Sequence, residues 1–155
     1  MAAKSSSATA VFNAGLSKRP LAITFSQQAT CSHTYAPRPG LFPEAFALSE
    51  GALDFGVTLH EMTSEIDAGP IIEVRRFSLP PHATRLEVLD QAERHAVQLF
   101  AELARHCVKS DADLPHAEEQ WSGDRTTLQD YQALLERHGD LKSPHEDQLL
   151  KSFRA

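Results

Sequence analysis

Two cysteines in 155 residues, Cys31 and Cys107, supply neither a disulfide framework nor a paired-cysteine zinc spacing, so both thiols are read as reduced. No stretch approaches the roughly 18 to 20 consecutive apolar residues of a membrane span, and no apolar run with a cleavage site opens the chain. Basic residues are outnumbered, 15 Lys and Arg against 21 Asp and Glu, and the net charge of -6 leaves no footprint for nucleic acid or an anionic membrane. There is no internal repeat and no low-complexity tract. These absences leave the expectation of a cytoplasmic protein whose partners are small molecules or other proteins. A content of 41% hydrophobic and 23% charged residues suits one ordinary domain.

Acid is missing from the start of the chain. Residues 1 to 43 hold Lys4, Lys18, Arg19 and Arg38 and no carboxylate, while the remainder carries -10. The small, polar opening offers little surface to bury, so residues 1 to 20 are expected to form a loose N-terminal segment ahead of a domain at 21 to 155. Leu21 to Phe25, β-branched and aromatic, is expected to be a buried strand that polar Gln27 to His33 terminates. Pro37, Pro39 and Gly40 mark a turn, and Pro43 to Leu48 reads as a short helix stopped at Gly51.

Gly56 to Met62 alternates, Val57 and Leu59 to one side, Thr58, His60 and Met62 to the other, as a strand with one buried face does. A second strand is expected at Ile71 to Leu79, ended by Pro80 and Pro81. Residues 63 to 70 between them are more than a tight hairpin needs. Thr84 with Glu87 forms a capping box, and Leu86, Leu89, Ala92, Ala96, Leu99, Phe100, Leu103 and Cys107 recur at three and four residues, predicting an amphipathic helix over 84 to 108. Further helices are expected at 127 to 138 and within 145 to 154.

Asp67 stands out chemically. In a long strand connection, followed by Ala68 and Gly69, it is placed to act on a reacting amine or to orient a histidine. A turn aspartate bonding its own backbone has the same local signature. The eight histidines show no pair with zinc-ligand spacing and a third ligand, and Cys31, Ser26 or Ser32 beside His33 lacks a nucleophile elbow.

Gly56-Val57-Thr58-Leu59-His60-Glu61-Met62 followed by Ile66-Asp67-Ala68-Gly69-Pro70-Ile71-Ile72 resembles the signature of the folate-dependent formyltransferase family, which includes methionyl-tRNA and sugar N-formyltransferases. Gly40 and Gly51 ahead of it, and Gln120-Trp121-Ser122-Gly123 before a Thr-x-x-Asp-Tyr segment at Thr127 to Tyr131, extend the resemblance over residues 36 to 155. It implies an α/β fold, a truncated Rossmann-like sheet with a long packed helix and without the family's N-terminal half. It implies transfer of a formyl group from 10-formyltetrahydrofolate to a small-molecule amine. Asp67 takes the place of the catalytic aspartate, and Thr63, Ser64, Glu65 and Ile66 that of the loop holding the pterin.

The family's Asn-x-His pair, which stabilises the oxyanion, has three possible counterparts: Ala29 and Cys31, Cys31 and His33, or Thr24 and Ser26. None supplies the asparagine. The second is preferred, with His33 as oxyanion donor, because it keeps a titratable imidazole. Activity is therefore expected to be weak or lost, with a non-catalytic binding or dimerisation module as the alternative. A homo-oligomer or a partner chain is expected to cover the sheet edge left by the absent half.

Overall fold

The computed structural model describes residues 10–12, 20–31, 34–65, 67–110, 114–122 and 125–141. They form a five-stranded sheet with one long helix against it and a smaller helical cluster at its side. The strands are β1 (Ala10–Phe12), β2 (Leu21–Cys31), β3 (Thr34–Arg38), β4 (Asp54–Glu61) and β5 (Ile71–Ser78); the helices are α1 (Pro43–Ser49), α2 (Arg85–Lys109) and α3 (Leu128–Arg137). The fold is of mixed α/β type, an open sheet with a long packed helix. Every pairing in that sheet is antiparallel. For β4 and β5 the connection from Glu61 to Ile71 accounts for this, being shorter than the dozen or more residues a parallel crossover needs.

Strand β2 is the centre. Ile23 pairs with Ala10 on one side and Leu59 on the other, and Gln27 pairs with both Arg38 and Phe55. Two sequence expectations change here. β2 runs on through the polar residues to Cys31, because β3, where a turn was expected, supplies ladder partners for Gln27 to Cys31. Ala10–Phe12, assigned by composition to a loose segment, pairs with Leu21–Ile23, as its short apolar Ala-Val-Phe sequence suits. Helices expected over 84 to 108 and 127 to 138 run from Arg85 to Lys109 and from Leu128 to Arg137, behind complete capping boxes at Thr84 and Thr127. The helix expected within 145 to 154 lies outside the described residues.

Alternation gives the sheet two unlike faces. Leu21, Ile23, Phe25, Phe55, Val57, Leu59 and Phe77 meet Val88, Ala92, Leu99 and Leu103 of α2 in the main apolar core. On the other face the same strands present Ala22, Thr24, Thr58 and His60, all buried. Segment 114–121 crosses the outer edge of β5, where the Ala117 N–H donates to the Ile71 carbonyl at 2.8 Å and Arg76 pairs with Glu119. The chain thus covers part of its own sheet edge.

Phe42, Ala45, Phe46, Tyr131 and Leu134 form a second cluster between α1 and α3. Arg85 ties it to α2: its guanidinium donates to Glu44 at 2.8 Å, to the Tyr131 hydroxyl at 3.0 Å and to the Leu141 carbonyl at 2.9 Å. Gly40 has φ 138°, and a Cβ there would lie 2.2 Å from Thr126 Oγ1, so only glycine lets the two segments meet.

Candidate active site

The long connection between β4 and β5 folds back over the polar face of the sheet. Asp67 sits there with φ 50°, in the left-handed region that aspartate tolerates better than most residues. The chain can turn so tightly because Gly69 lies against β4: a Cβ on it would be 1.8 Å from the Glu61 carbonyl oxygen. Trp121 fastens the loop from above. Its indole N–H donates to the Gly69 carbonyl at 2.8 Å, and its ring meets the His60 ring edge-on at a centroid separation of 5.1 Å. The β4–β5 register also shifts between Leu59 and His60, an irregularity of the kind that re-aims a side chain.

Three polar side chains converge as a result. The Thr24 hydroxyl donates to Asp67 Oδ1 at 2.9 Å, and its oxygen lies 3.0 Å from His60 Nε2. His60 Nε2 is 3.8 Å from Asp67 Oδ1. Their exposures are 0%, 2% and 5% for Thr24, His60 and Asp67. A buried polar group without a partner costs folding free energy, so such a cluster is retained only when its members satisfy one another.

The tautomer of His60 follows from its other nitrogen. Nδ1 lies 2.9 Å from the Glu61 carbonyl oxygen, which can only accept, so Nδ1 carries a proton. Burial pushes the imidazole pKa below 6.5, against the opposing pull of the Glu61 carbonyl and the Asp67 charge. Near neutral pH the ring is uncharged and Nε2 is an acceptor. The one Thr24 proton therefore has two acceptors in reach, carboxylate and imidazole, and can pass between them by rotation of the hydroxyl.

The structure thus brings Asp67 together with Thr24, one of the three weighed counterparts of the Asn-x-His pair. Thr63, Ser64 and Glu65 lie exposed on the same loop, with the Thr63 hydroxyl donating to the Glu65 carbonyl at 2.9 Å. His33 and Ile66 lie outside the described residues. His60 was weighed in the sequence only for metal binding. The signal that could have found it was present: alternation places Thr58 and His60 on one face, and the glycine-containing loop returns over that face.

Away from these residues a surface hollow of about 470 Å³ lies between α1 and α3, lined among others by Arg38, Ser49, Arg125, Asp130 and Arg137. It shares no residue with the Thr24–His60–Asp67 cluster.

No family model matches the chain. Over 64 residues it is 36% identical to the methionyl-tRNA formyltransferase of Thermotoga neapolitana, a match covering 41% of this chain and 19% of that one. The 4-N formyltransferase of Francisella tularensis superposes with a TM-score of 0.55 at 21% identity, over 72% of this chain and 43% of that one. The N-formyltransferase of Helicobacter canadensis, solved with folinic acid and dTDP-3-aminofucose, gives 0.51 at 19% identity, over 60% and 34%. The chain spans about a fifth of the curated relative's length. Its resemblance is to the folate-dependent formyltransferases, over part of each relative, and the fold is theirs.

Proposed function

We propose that this chain carries a site for folate-dependent N-formyl transfer, in which a formyl group passes from 10-formyltetrahydrofolate to a small-molecule amine. The observation that carries the reading is the Asp67 carboxylate, held in a left-handed turn against Thr24 and His60 inside the segment whose sequence resembles the formyltransferase signature. The Helicobacter canadensis structure was solved with a folate and an amino sugar nucleotide, which supports a folate donor and an amine acceptor here.

The donor supplies an activated formyl carbon; exchanging its carbon–nitrogen bond for one to the amine leaves a single proton to move from the amine to the departing nitrogen. Asp67 is the group of this chain that takes it. The Thr24 hydroxyl fixes Oδ1 and leaves Oδ2 for the proton. As Asp67 becomes neutral, Oδ1 becomes a weaker acceptor and the single Thr24 proton can turn toward His60 Nε2, 3.0 Å away. Thr63, Ser64, Glu65 and Ile66 form the loop against which the pterin lies. His33 is the proposed oxyanion donor, and with no asparagine beside it turnover is low, since losing one such donor costs roughly a hundred- to a thousandfold.

A non-catalytic module that keeps only the fold is the second reading, favoured by the hollow of about 470 Å³ lying apart from Asp67. A mass-resolved assay with 10-formyltetrahydrofolate and a panel of amino sugars separates the two. Wild type should give a formylated product, and Asp67→Asn none, while still binding 5-formyltetrahydrofolate. Equal product from Asp67→Asn removes its role, and no product together with no folate-induced thermal shift leaves the module.

A further inference from the structure

We propose that the hollow between α1 and α3 is a second ligand site, built for a small organic phosphate and separate from the Asp67 cluster. Its volume of about 470 Å³ suits a metabolite of modest size. Three arginines from three segments line it: Arg38 in β3, Arg125 just ahead of α3, and Arg137 in the last turn of α3. The wall is preformed. The Thr126 N–H donates to the Pro39 carbonyl at 3.1 Å and its hydroxyl to the Leu41 carbonyl at 3.0 Å, which fixes the Arg125 segment against the turn that follows Arg38.

The charges around the hollow are not those that the helices alone would select. The α3 macrodipole favours a cation at Arg137 but disfavours one at Arg125, two residues before the Thr127 N-cap. Glu50 is the C-cap of α1, the end at which a carboxylate is disfavoured. It pairs with Arg38 at 2.9 Å, yet its side chain is 47% exposed, and such a pair adds little stability, so a stronger anion can take over the guanidinium. The other lining carboxylate, Asp130, is engaged in the α3 cap, where it accepts the Thr127 N–H at 2.8 Å and the Thr127 hydroxyl at 2.6 Å. Elsewhere Arg75, Arg76, Arg85 and Arg94 each pair with a carboxylate. Arg137 instead donates from Nε to the Ala133 carbonyl at 3.2 Å, and among the described residues no carboxylate pairs with it.

Guanidinium chemistry identifies the ligand class. Each arginine presents a planar fork matched to an oxyanion. A carboxylate offers two oxygens in one plane, whereas a terminal phosphate offers three around a tetrahedron and a second negative charge, which forks from three separate segments can share. Three guanidiniums against two carboxylates leave the hollow positive on a chain of net charge -6. Phe46, Ala133 and Leu134 supply apolar lining for the body of the molecule. The occupant is therefore a phosphate monoester on a ring-bearing body.

Adenosine 5′-monophosphate is the probe, titrated into isotope-labelled chain beside adenosine and inorganic phosphate. It should shift the backbone amides of Thr126, Ala133 and Arg137 saturably, with a dissociation constant on the order of 100 μM that rises with salt. Arg125→Gln and Arg137→Gln should each weaken binding about tenfold, and Arg94→Gln, outside the hollow, should leave it unchanged. Glu50→Gln removes the carboxylate that competes for Arg38 and should tighten binding about threefold or more, a gain that no folding defect can produce. No saturable shift at about 10 mM probe, shifts centred on residues 63 to 67, arginine variants that bind like wild type, a Glu50→Gln chain that binds more weakly, or either fragment binding as tightly as the whole probe would each overturn the proposal.

Discussion

Acidification should weaken the fold through one imidazole. His60 is 2% exposed, and burial holds its pKa below the ordinary 6.5, with the Glu61 carbonyl and Asp67 pulling the other way. The unfolded chain accepts a proton at this residue that the folded chain refuses. Stability from the neutral ring is therefore whole above pH 6.5 and is lost as pH falls through 6.5 toward the lower folded-state value. Within that window the two states differ by one proton, so the free energy of unfolding drops by up to about 1.4 kcal/mol per pH unit. His60→Gln cannot titrate and lacks this slope. Urea unfolding of both chains from about pH 8 to about pH 5 gives two curves, and their difference isolates His60 from the other histidines and the carboxylates. The wild-type advantage should be largest above neutrality and shrink on the acid side. Parallel curves would refute the buried, neutral imidazole.

Three substitutions probe the surroundings. Thr24→Val removes the hydroxyl that Asp67 and His60 share and should cost about 1 to 3 kcal/mol in urea unfolding, whereas Thr24→Ser keeps it and should cost clearly less. Gly69→Ala drives a methyl into the Glu61 carbonyl, the same oxygen that accepts from His60 Nδ1, and should lower stability by about 3 kcal/mol or more. Arg85→Ala leaves Glu44, whose side chain is 6% exposed, without its guanidinium and should cost roughly 3 to 5 kcal/mol, part of which Glu44→Gln in the same chain should restore.

What the sequence made legible was local. The capping boxes at Thr84 and Thr127, the period of α2 and the alternation of β4 each depend on neighbours a few residues apart, and each appears where the pattern puts it. β3 was not legible, because a segment containing Pro37 reads as a turn until a long β2 offers it a ladder on one side. At the site, Asp67 stood out through its loop, but its partners did not. Thr24 lies 43 residues away and is just one of several hydroxyls in its region. Its meeting with Asp67 and His60 is set by the β2–β4 register, with Thr24 opposite Thr58 and Ala22 opposite His60, and register is a long-range property. Trp121 was part of the quoted resemblance, yet its task of holding Gly69 and covering His60 emerges only once segment 114–122 is laid along β5.

Formyl transfer at this site requires that the Asp67 loop receive a folate. Titrating isotope-labelled chain with 5-formyltetrahydrofolate while following backbone amide resonances tests this directly. Saturable shifts centred on Thr63, Ser64, Glu65 and Asp67, with smaller ones at Thr24 and His60, are the expected result. A spectrum unchanged at millimolar folate, or shifts confined to the hollow between α1 and α3, would contradict it.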